Sequence, residues 1–458
     1  MKHFFLLLLF NYLLCGYENT TFEKKNFIIK TSEDTLYIKN TNGILLNTKT
    51  PKIIQTDQNT TIKKDLHTNE WSGTLIDINS SKAIYNAIVS DSNHSVRSDI
   101  NGSFTIDTTE NILHIKAYGY KPAALSQDQN ITRYMLEPIR VKALYLTFWG
   151  ASNHSSRFKK ILKLIDQTKA NAIVVDVKNE YGSTVFWTKF KQANKYGAHL
   201  KRTNRDITKF MQTLKEKNIY TIARIVTFKD ELQASNNYEY AIKNNDQNKT
   251  LWRNHDGMAW VDPYDKRSHA YTISLAEEAA KVGFDEINFD YIRFPAKEGL
   301  CMSQKHTQKN RIKAIGKFLD TAQERLKKYG VFISVDIYGN VCWSDDDNGI
   351  GQTIDSLAKH TDYIAPMLYP SGFASGSFGK KYPAKHPYIV VYRSIVHISD
   401  KIDPIRVRPW LQYFKDYTDS RVHYKADEIK KQIQAADDAN TSGWMLWSPS
   451  SKYDLNVF

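Results

Sequence analysis

The sequence has few of the residues that define several protein classes. Only 3 cysteines, 12 prolines and 20 glycines occur among its 458 residues, which excludes a disulfide-rich scaffold and a fibrous or linker-dominated chain. After residue 15 no stretch approaches the roughly 20 apolar residues that a membrane span needs, and the mean hydropathy is −0.51, so a polytopic membrane protein is excluded. Hydrophobic residues still make up 41% of the chain, which predicts a sizeable packed core.

The chain is basic, with a formal net charge of +14. Acidic and basic residues balance over residues 17–140, so the excess lies in the C-terminal part. A basic surface can attract nucleic acid, anionic lipid or an acidic polymer. The lysines are scattered, however, and no dense Lys/Arg run carries interleaved aromatic residues. We therefore expect compositional bias rather than nucleic-acid binding.

The N-terminus has the pattern of an export signal. A basic start, Met1–His3, precedes the apolar run Phe4–Phe10, which predicts a signal peptide over residues 1–16. Lipidation of Cys15 is one outcome, although Leu14 stands where lipoprotein signals carry Gly, Ala or Ser; cleavage that removes Cys15 is another, and a buried N-terminal helix is a third. We expect an exported protein that is periplasmic, outer-membrane-associated or secreted, with membrane attachment only through a lipidated Cys15.

The chain length predicts two or three domains. Residues 17–70, rich in Thr, Asn and Lys, are interpreted as a partly irregular β or linker segment. Residues 71–140 show short strands, with a hairpin expected at Asn101-Gly102. The segment contains Gly73, Asp77, Asn86-Ala87, an Asp-x-Asn-Gly-x-Phe turn at 99–104 and Gly119-Tyr120. With these residues it resembles the carboxypeptidase regulatory-like domain, a small β-sandwich, over roughly residues 72–138, and that resemblance implies an accessory module without catalysis.

Residues 141–458 alternate strand and helix patterns. Apolar stripes with helical spacing occur at 158–168, 207–216 and 312–327. Alternating β and α units over this length predict a parallel sheet, and eight units fit a (β/α)8 TIM barrel better than an open sheet. The eight candidate strands are 141–148, 172–177, 220–226, 286–291, 332–338, 363–368, 406–412 and 443–447.

Carboxylates occupy the polar side of three of these strands. Side-chain alternation aims Asp176, Asp290 and Asp336 at the barrel axis, close to the C-terminal strand ends. Carboxylates in such positions are costly to bury unless they are paired or take part in chemistry. The structural alternative is an ion network, for example Asp176 with Arg224 or Arg293.

The acids fit the chemistry of glycoside hydrolysis, which needs two carboxyl groups that flank one bond. Asp290 and Asp336 end adjacent strands and are expected to face each other across the barrel mouth. Arg293 would keep Asp290 ionised as the nucleophile, and Asp336 would be the acid. Asp176 and Glu180 are rivals for the second role.

Aromatic and polar residues at the strand ends are candidates for sugar binding. Tyr and Trp present flat apolar faces with a polar edge, which suits stacking on sugar rings, although core packing is the alternative for each of them. The predicted substrate-binding residues are Lys178, Arg224, Arg293, Tyr338, Met367, Tyr369, Gln412, Trp444 and Trp447, with Trp343, Trp410, Phe414 and Ser448 nearby.

Eight motifs are distributed over the whole barrel segment. They are AIVVDVK (172–178), IARIVTFKD (222–230), FDYIRFP (289–295), SVDIYG (334–339), GIGQ (349–352), DYIAPMLYPS (362–371), RPWLQ (408–412) and GWMLWSPS (443–450). With these motifs the segment from Val141 to Tyr453 resembles a bacterial family of glycosyl hydrolase (β/α)8 domains of unassigned substrate, distantly similar to α-amylase and α-galactosidase barrels. The resemblance implies a sugar-hydrolase fold and points to Asp290 as the nucleophile. Where the family commonly has an acid after the seventh-strand glutamine, this chain has Tyr413.

Cysteine and histidine usage completes the expectations. Export leaves Cys301 and Cys342 in an oxidising compartment, and both fall in loops on one barrel face, which suggests a disulfide. No cofactor or metal is expected, because the histidines are isolated.

We expect an exported retaining glycoside hydrolase that acts on a bacterial polysaccharide. The alternatives are an inactive polysaccharide-binding or envelope-scaffold protein and a different barrel chemistry, such as a lyase or deacetylase.

Overall fold

The structure, a computed structural model, describes residues 21–24, 27–32, 35–40, 45–49, 69–126 and 132–458. The predicted signal peptide and Cys15 lie outside these residues. The first unit contains a four-stranded antiparallel sheet in the segment interpreted as β or linker. Its strands, in sheet order, are β1 (Thr21–Lys24), β2 (Phe27–Ser32), β3 (Thr35–Asn40) and β4 (Leu45–Lys49).

The second unit begins at His67 and opens with two small sheets around a shared apolar core. The strands are β5 (Asn69–Asp77), β6 (Ile88–Ser90), β7 (Ser95–Arg97), β8 (Ser103–Thr108), β9 (Ile112–Lys116), β10 (Ala123–Ser126) and β11 (Arg133–Leu136). One sheet has the order β11-β5-β8 and the other β10-β9-β6-β7. The Asn101-Gly102 turn joins β7 to β8 and so passes from one sheet to the other, which makes the predicted hairpin wrong.

Eight parallel strands then close into a barrel in chain order. All eight strands predicted from the sequence are present, and the fold class is confirmed. The seventh is shorter than predicted: Arg406 ends a 3-10 turn, and the strand begins only at Trp410. The barrel strands are β12 (Val141–Leu146), β13 (Ala172–Lys178), β14 (Tyr220–Val226), β16 (Glu286–Asp290), β18 (Phe332–Tyr338), β19 (Tyr363–Met367), β20 (Trp410–Gln412) and β21 (Gly443–Trp447); β15 (Lys243–Asn244) and β17 (Leu300–Cys301) pair in the loops.

Helices surround the barrel, and their apolar stripes pack on the outward side chains of the strands. Each of the three stripes found in the sequence lies on one of these helices. No helix of the described residues is long and apolar enough to cross a bilayer. The helices are α1 (Ser156–Gln167), α2 (Lys191–Lys195), α3 (Ile207–Glu216), α4 (Glu231–Asn236), α5 (Lys266–Lys281), α6 (Gln308–Leu326), α7 (Ile354–His360), α8 (Pro387–His397) and α9 (Ala426–Asp438).

The barrel interior is filled by a second apolar cluster and closed below by a buried ion pair. Glu286, the first residue of β16, accepts hydrogen bonds from Arg408 at 2.7 and 2.9 Å and from the Tyr220 hydroxyl at 2.8 Å. All three side chains are buried. The pair is therefore a packed structural element at the N-terminal strand ends, as expected for a filled barrel.

The β-sandwich packs against this N-terminal end of the barrel. Lys116 forms an ion pair of 2.8 Å with Asp362, Tyr118 packs edge-on against Tyr363, and the Gly119 amide donates to the Tyr363 hydroxyl. Asp362 and Tyr363 lie where β19 begins. The sandwich thus lies opposite the mouth where the candidate acids emerge.

Closure of the barrel depends on a glycine at the start of β21. Gly443 pairs with Val141, has φ of +113°, and a Cβ there would lie 2.0 Å from the Val141 carbonyl oxygen. We expect Gly443→Ala to lower the free energy of unfolding by about 2–4 kcal/mol, through backbone strain plus the steric clash. Denaturant unfolding followed by tryptophan fluorescence measures this. Gly372→Ala is the control, because Gly372 has open space around its Cα; equal midpoints for the two variants would contradict the expectation.

Candidate active site

A pocket of about 200 Å³ opens at the C-terminal ends of the barrel strands. Because parallel strands end together at one mouth, residues far apart in sequence converge there. A larger surface groove of about 430 Å³ beside α1 is lined by no carboxylate, so the smaller pocket is the candidate site. Its lining is formed by Arg224, Asp290, Tyr291, Arg293, Asp336, Tyr338, Met367, Tyr369, Trp410 and Trp447.

Arg224 of β14 is the charge that organises the acids. Its Nε and Nη2 donate to Asp290 Oδ2 at 3.0 and 2.5 Å, and its Nη1 donates to Asp176 Oδ1 at 2.5 Å. Asp176 also accepts a hydrogen bond of 3.2 Å from the Tyr145 hydroxyl. Burial raises the pKa of Asp176 to about 6 despite the nearby guanidinium. Asp176 therefore belongs to a buried ion network, which was the structural alternative to catalysis. Its partner is Arg224 and not Arg293.

Asp336 has a different environment from its neighbours. Its Oδ1 accepts hydrogen bonds from Asn288 Nδ2 at 2.9 Å and from Trp410 Nε1 at 2.7 Å, and no cation of the described residues pairs with it. Burial, reinforced by the negative charge of Asp290, raises the pKa of Asp336 well above its ordinary value. The raised pKa favours the neutral form of this acid, which lines the pocket.

Asp290 is held from both of its carboxylate oxygens. Oδ2 faces Arg224, and Oδ1 accepts a hydrogen bond of 2.6 Å from the Tyr291 amide. Tyr291 has a φ of +49°, a strained backbone conformation of the kind found at functional sites. The strained turn directs this amide at the carboxylate and turns the chain so that the Tyr291 ring also lines the pocket.

Aromatic rings form the remaining walls. Trp447 stacks on Tyr145 with ring centroids 4.0 Å apart, and the Arg224 guanidinium lies 5.0 Å from the Trp447 ring. Trp410 meets Trp447 edge to face. These contacts fix the rings around the acids and leave an apolar surface beside them. No group of three or more histidines, cysteines or acids in the described residues could hold a metal ion.

A family model described as "Putative glycosyl hydrolase domain" matches residues 143–453, more than half of the chain. The chain belongs to this glycosyl hydrolase family. No curated protein matches the chain.

Several solved structures are similar to this glycosyl hydrolase. A hypothetical protein from Ruminiclostridium thermocellum is 35% identical, with 42% of this chain and 96% of that chain covered and a TM-score of 0.38. The PgaB (BpsB) glycoside hydrolase domain from Bordetella bronchiseptica is 12% identical, with 69% and 95% covered and a TM-score of 0.49. A chitinase from Chromobacterium violaceum is 9% identical, with 69% and 98% covered and a TM-score of 0.41.

Six of the nine predicted substrate-binding residues line the pocket of this glycosyl hydrolase, and Lys178 does not. A β-bulge between Asp176 and Lys178 brings Lys178 into register with Ile225, whose side chain faces the helices. Lys178 is fully buried, its Nζ 2.8 Å from Asp230 Oδ2 and 2.5 Å from the Val226 carbonyl oxygen. The extra residue reverses the alternation, so the predicted contact with sugar hydroxyls is wrong.

Gln412 and Trp444 also lie outside the pocket lining. Gln412 is fully buried, and its side chain accepts from the Ser371 amide and hydroxyl and donates to the Phe414 carbonyl. Trp444 faces the helices and packs near Phe458, because it lies three residues from the pocket-lining Trp447 on a strand that alternates sides. Ser448 is buried and donates to the Lys452 carbonyl.

The predicted disulfide is absent, and both cysteines are free thiols. Cys301 lies in the short strand β17, opposite Lys243. Cys342 is buried in the turn after β18, and burial raises its pKa to about 12. One cysteine is thus held in a paired strand and the other in the apolar core, which explains why a shared barrel face does not bring them together.

Three site residues were not selected from the sequence as functional. Asn288 donates to both Asp336 and Ser334, Tyr145 bonds Asp176, and Tyr291 lines the pocket. Asn288 and Tyr145 lie on the inward side of their strands, so the same alternation that identified the acids would have found them. The same alternation would direct Tyr291 outward, and its left-handed backbone turns the ring into the pocket instead.

The raised pKa of Asp336 predicts that the stability difference between wild type and an Asp336→Asn variant depends on pH. Since its folded pKa is raised, Asp336 binds a proton that the unfolded chain loses above about pH 4, so this group makes stability fall as pH rises. Asp336→Asn removes that dependence, and we expect the variant to gain stability relative to wild type as the pH rises above about 4. Denaturant unfolding at several pH values measures this. The exposed Asp419→Asn is the control, and a parallel offset at all pH values would show that Asp336 is ionised.

Proposed function

We propose that the protein is an exported glycoside hydrolase that cleaves a bacterial polysaccharide by a two-carboxylate, retaining mechanism. One observation carries the proposal. Asp290 and Asp336 line the same pocket on neighbouring strands in opposite environments, one bound by a guanidinium and the other buried without a cation. Two carboxyl groups whose environments differ in this way are the arrangement that glycoside hydrolysis requires.

Asp336 is assigned as the general acid. Its neutral form carries the proton that the leaving glycosidic oxygen needs, and two donors on Oδ1 leave Oδ2 as the oxygen that can present this proton. After this transfer, the Asp336 carboxylate acts as a base in the second step. It accepts a proton from the water that attacks the anomeric carbon. Asn288 and Trp410 hold the side chain through both steps.

Asp290 is assigned as the nucleophile. Its carboxylate forms a bond to the anomeric carbon as the bond to the leaving oxygen breaks, and water later releases the sugar with the same configuration. The Arg224 guanidinium and the Tyr291 amide hold the carboxylate in one orientation. Arg224, not the expected Arg293, is the cation that pairs with Asp290. Asp176 is assigned as a positioning residue that orients Arg224, since it does not line the pocket.

The distribution of exposed aromatic rings supports a polymeric substrate. In the barrel, every exposed tryptophan and tyrosine lies at the C-terminal end of a strand or on the segment that follows one, on the side that bears the pocket. A long sugar chain stacks on such rings beyond the pocket itself. The rings are Trp149, Trp187, Tyr238, Tyr338, Trp343, Tyr382 and Tyr417. Export to reach such a polymer is supported by the N-terminal pattern alone.

We expect turnover of one member of a bacterial polysaccharide panel by the wild type and a loss of at least about 10³-fold in Asp290→Asn, because the amide cannot act as the nucleophile. Reducing-end release measures the rate. Asp419→Asn makes the same chemical change on the same barrel face, at an exposed position, and should retain full activity. Equal turnover by wild type and Asp290→Asn would refute the assigned nucleophile, and binding without turnover by the wild type would favour the scaffold alternative.

The stereochemistry of the first product provides a separate test. Double displacement through Asp290 predicts that the newly formed reducing end retains the anomeric configuration of the substrate. Proton NMR during the first minutes of hydrolysis, before mutarotation, distinguishes the two anomers. Release of the inverted anomer would exclude a covalent intermediate on Asp290 and make this carboxylate a base for water.

A further inference from the structure

Arg293 is a buried cation at the pocket wall that has no anionic partner. It is 91% buried, since only 9% of its surface is exposed, and it lines the same pocket as Asp290 and Asp336. Within residues 69–126 and 132–458, no carboxylate lies within ion-pair distance of its guanidinium. The other two arginines buried to this degree both have such a partner: Arg224 contacts two aspartates and Arg408 contacts Glu286.

The contacts that Arg293 does make leave part of its guanidinium free. Nη1 donates to the Phe294 carbonyl at 3.0 Å and Nη2 to the Tyr338 hydroxyl at 3.1 Å, whereas a guanidinium has five N–H donors. The guanidinium carbon lies 4.8 Å from the Tyr338 ring, 5.0 Å from the Trp260 ring and 5.2 Å from the Tyr291 ring. Aromatic faces offset part of the cost of burying the charge, but they supply no counter-charge.

This arrangement is a preorganised site for an anion. Buried charges in proteins are normally paired, because desolvation of an isolated ion is costly. The three rings and the two hydrogen bonds fix the plane of the guanidinium, so little side-chain entropy is lost when a planar or tetrahedral oxyanion binds to it. The position beside the two acids places such an anion on the sugar that occupies the pocket or on the next sugar of the chain.

We propose that the substrate is an acidic polysaccharide and that Arg293 binds the anionic substituent of a sugar at or beside the cleavage point, either a carboxylate or a sulfate ester. This inference rests on the proposed glycoside hydrolase function and names its substrate class. The formal net charge of +14 acts in the same direction, since a basic protein attracts a polyanion before specific contacts form. A neutral polymer would leave the Arg293 charge buried and unpaired in the complex.

The test measures binding in protein that cannot turn over its ligand. Asp336→Asn is the background for every variant, because Asn resembles the neutral form of Asp336 and removes the transferable proton. The probes are polygalacturonate, alginate and a glucuronan, each with its carboxyl-reduced neutral counterpart, and dextran sulfate with dextran. Isothermal titration calorimetry at one ionic strength gives the affinity ratio within each pair.

We expect at least one acidic polymer to bind about tenfold or more tightly than its neutral counterpart, as a bidentate hydrogen bond to a charged group would give. Arg293→Met, which keeps the apolar stem packed among the rings, should reduce that ratio to about twofold or less. Arg293→Lys keeps the charge without the planar fork and should give an intermediate ratio; it also carries the test if the Met variant does not fold. Arg133→Gln removes one exposed charge from the sandwich and should leave the ratio unchanged.

Two results would overturn the inference: no pair shows a preference for the acidic member, or the preference survives in Arg293→Met. A preference confined to dextran sulfate assigns the anion as a sulfate ester, and one confined to a uronate polymer assigns it as a carboxylate. Failure here leaves the hydrolase proposal intact, because turnover of a neutral polymer would still support that proposal. Absence of turnover by the wild type would refute the hydrolase proposal without changing these affinity ratios.

Discussion

A single guanidinium allows the acids to share one end of the barrel. Arg224 contacts Asp176 with one nitrogen and Asp290 with two others, so two carboxylates that would repel each other share a positive charge between them. Burial of three such ions is tolerable only because their hydrogen-bonding capacity is largely used within the group. Asp336 lies outside this pairing, and burial raises its pKa, which gives two chemically distinct carboxyl groups within one pocket.

The two ends of the barrel use the same residue types for different purposes. At the N-terminal strand ends, Glu286 and Arg408 form a pair that is sealed from solvent, and the β-sandwich packs over the neighbouring strand starts. At the C-terminal ends, the pocket keeps Asp290 and Asp336 within reach of a ligand. Access to solvent, not the kind of side chain, separates the structural ion pair from the candidate catalytic one. The separation follows the general division of labour in this fold.

Two sequence periodicities, the helical spacing of apolar residues and the alternation of side chains along a strand, predicted much of the site. The prediction for Lys178 failed where the strand alternation is interrupted. Strand alternation placed Asp176, Asp290 and Asp336 on the inner side, and the structure agrees. The prediction that Lys178 binds substrate was wrong because one bulged residue reverses the alternation after Asp176. The prediction that Trp444 lines the pocket together with Trp447 failed for a simpler reason. The two residues are three positions apart on one strand, so regular alternation already directs them to opposite sides. Neither the φ of Tyr291 nor the aromatic surroundings of Arg293 have any local signal in the sequence.

By itself, the sequence determined the eight strands, the closed barrel and the inward set of acids, because each follows from short-range hydrophobic patterns that the chain can satisfy in only a few ways. The tertiary structure alone decided which charges meet. Arg224, and not Arg293, pairs with Asp290, and Arg293 is enclosed by three aromatic rings instead. Pairing depends on strand stagger and loop packing over distances of a few ångströms, and residues from separate loops contribute to it. That geometry arises only after the barrel has closed.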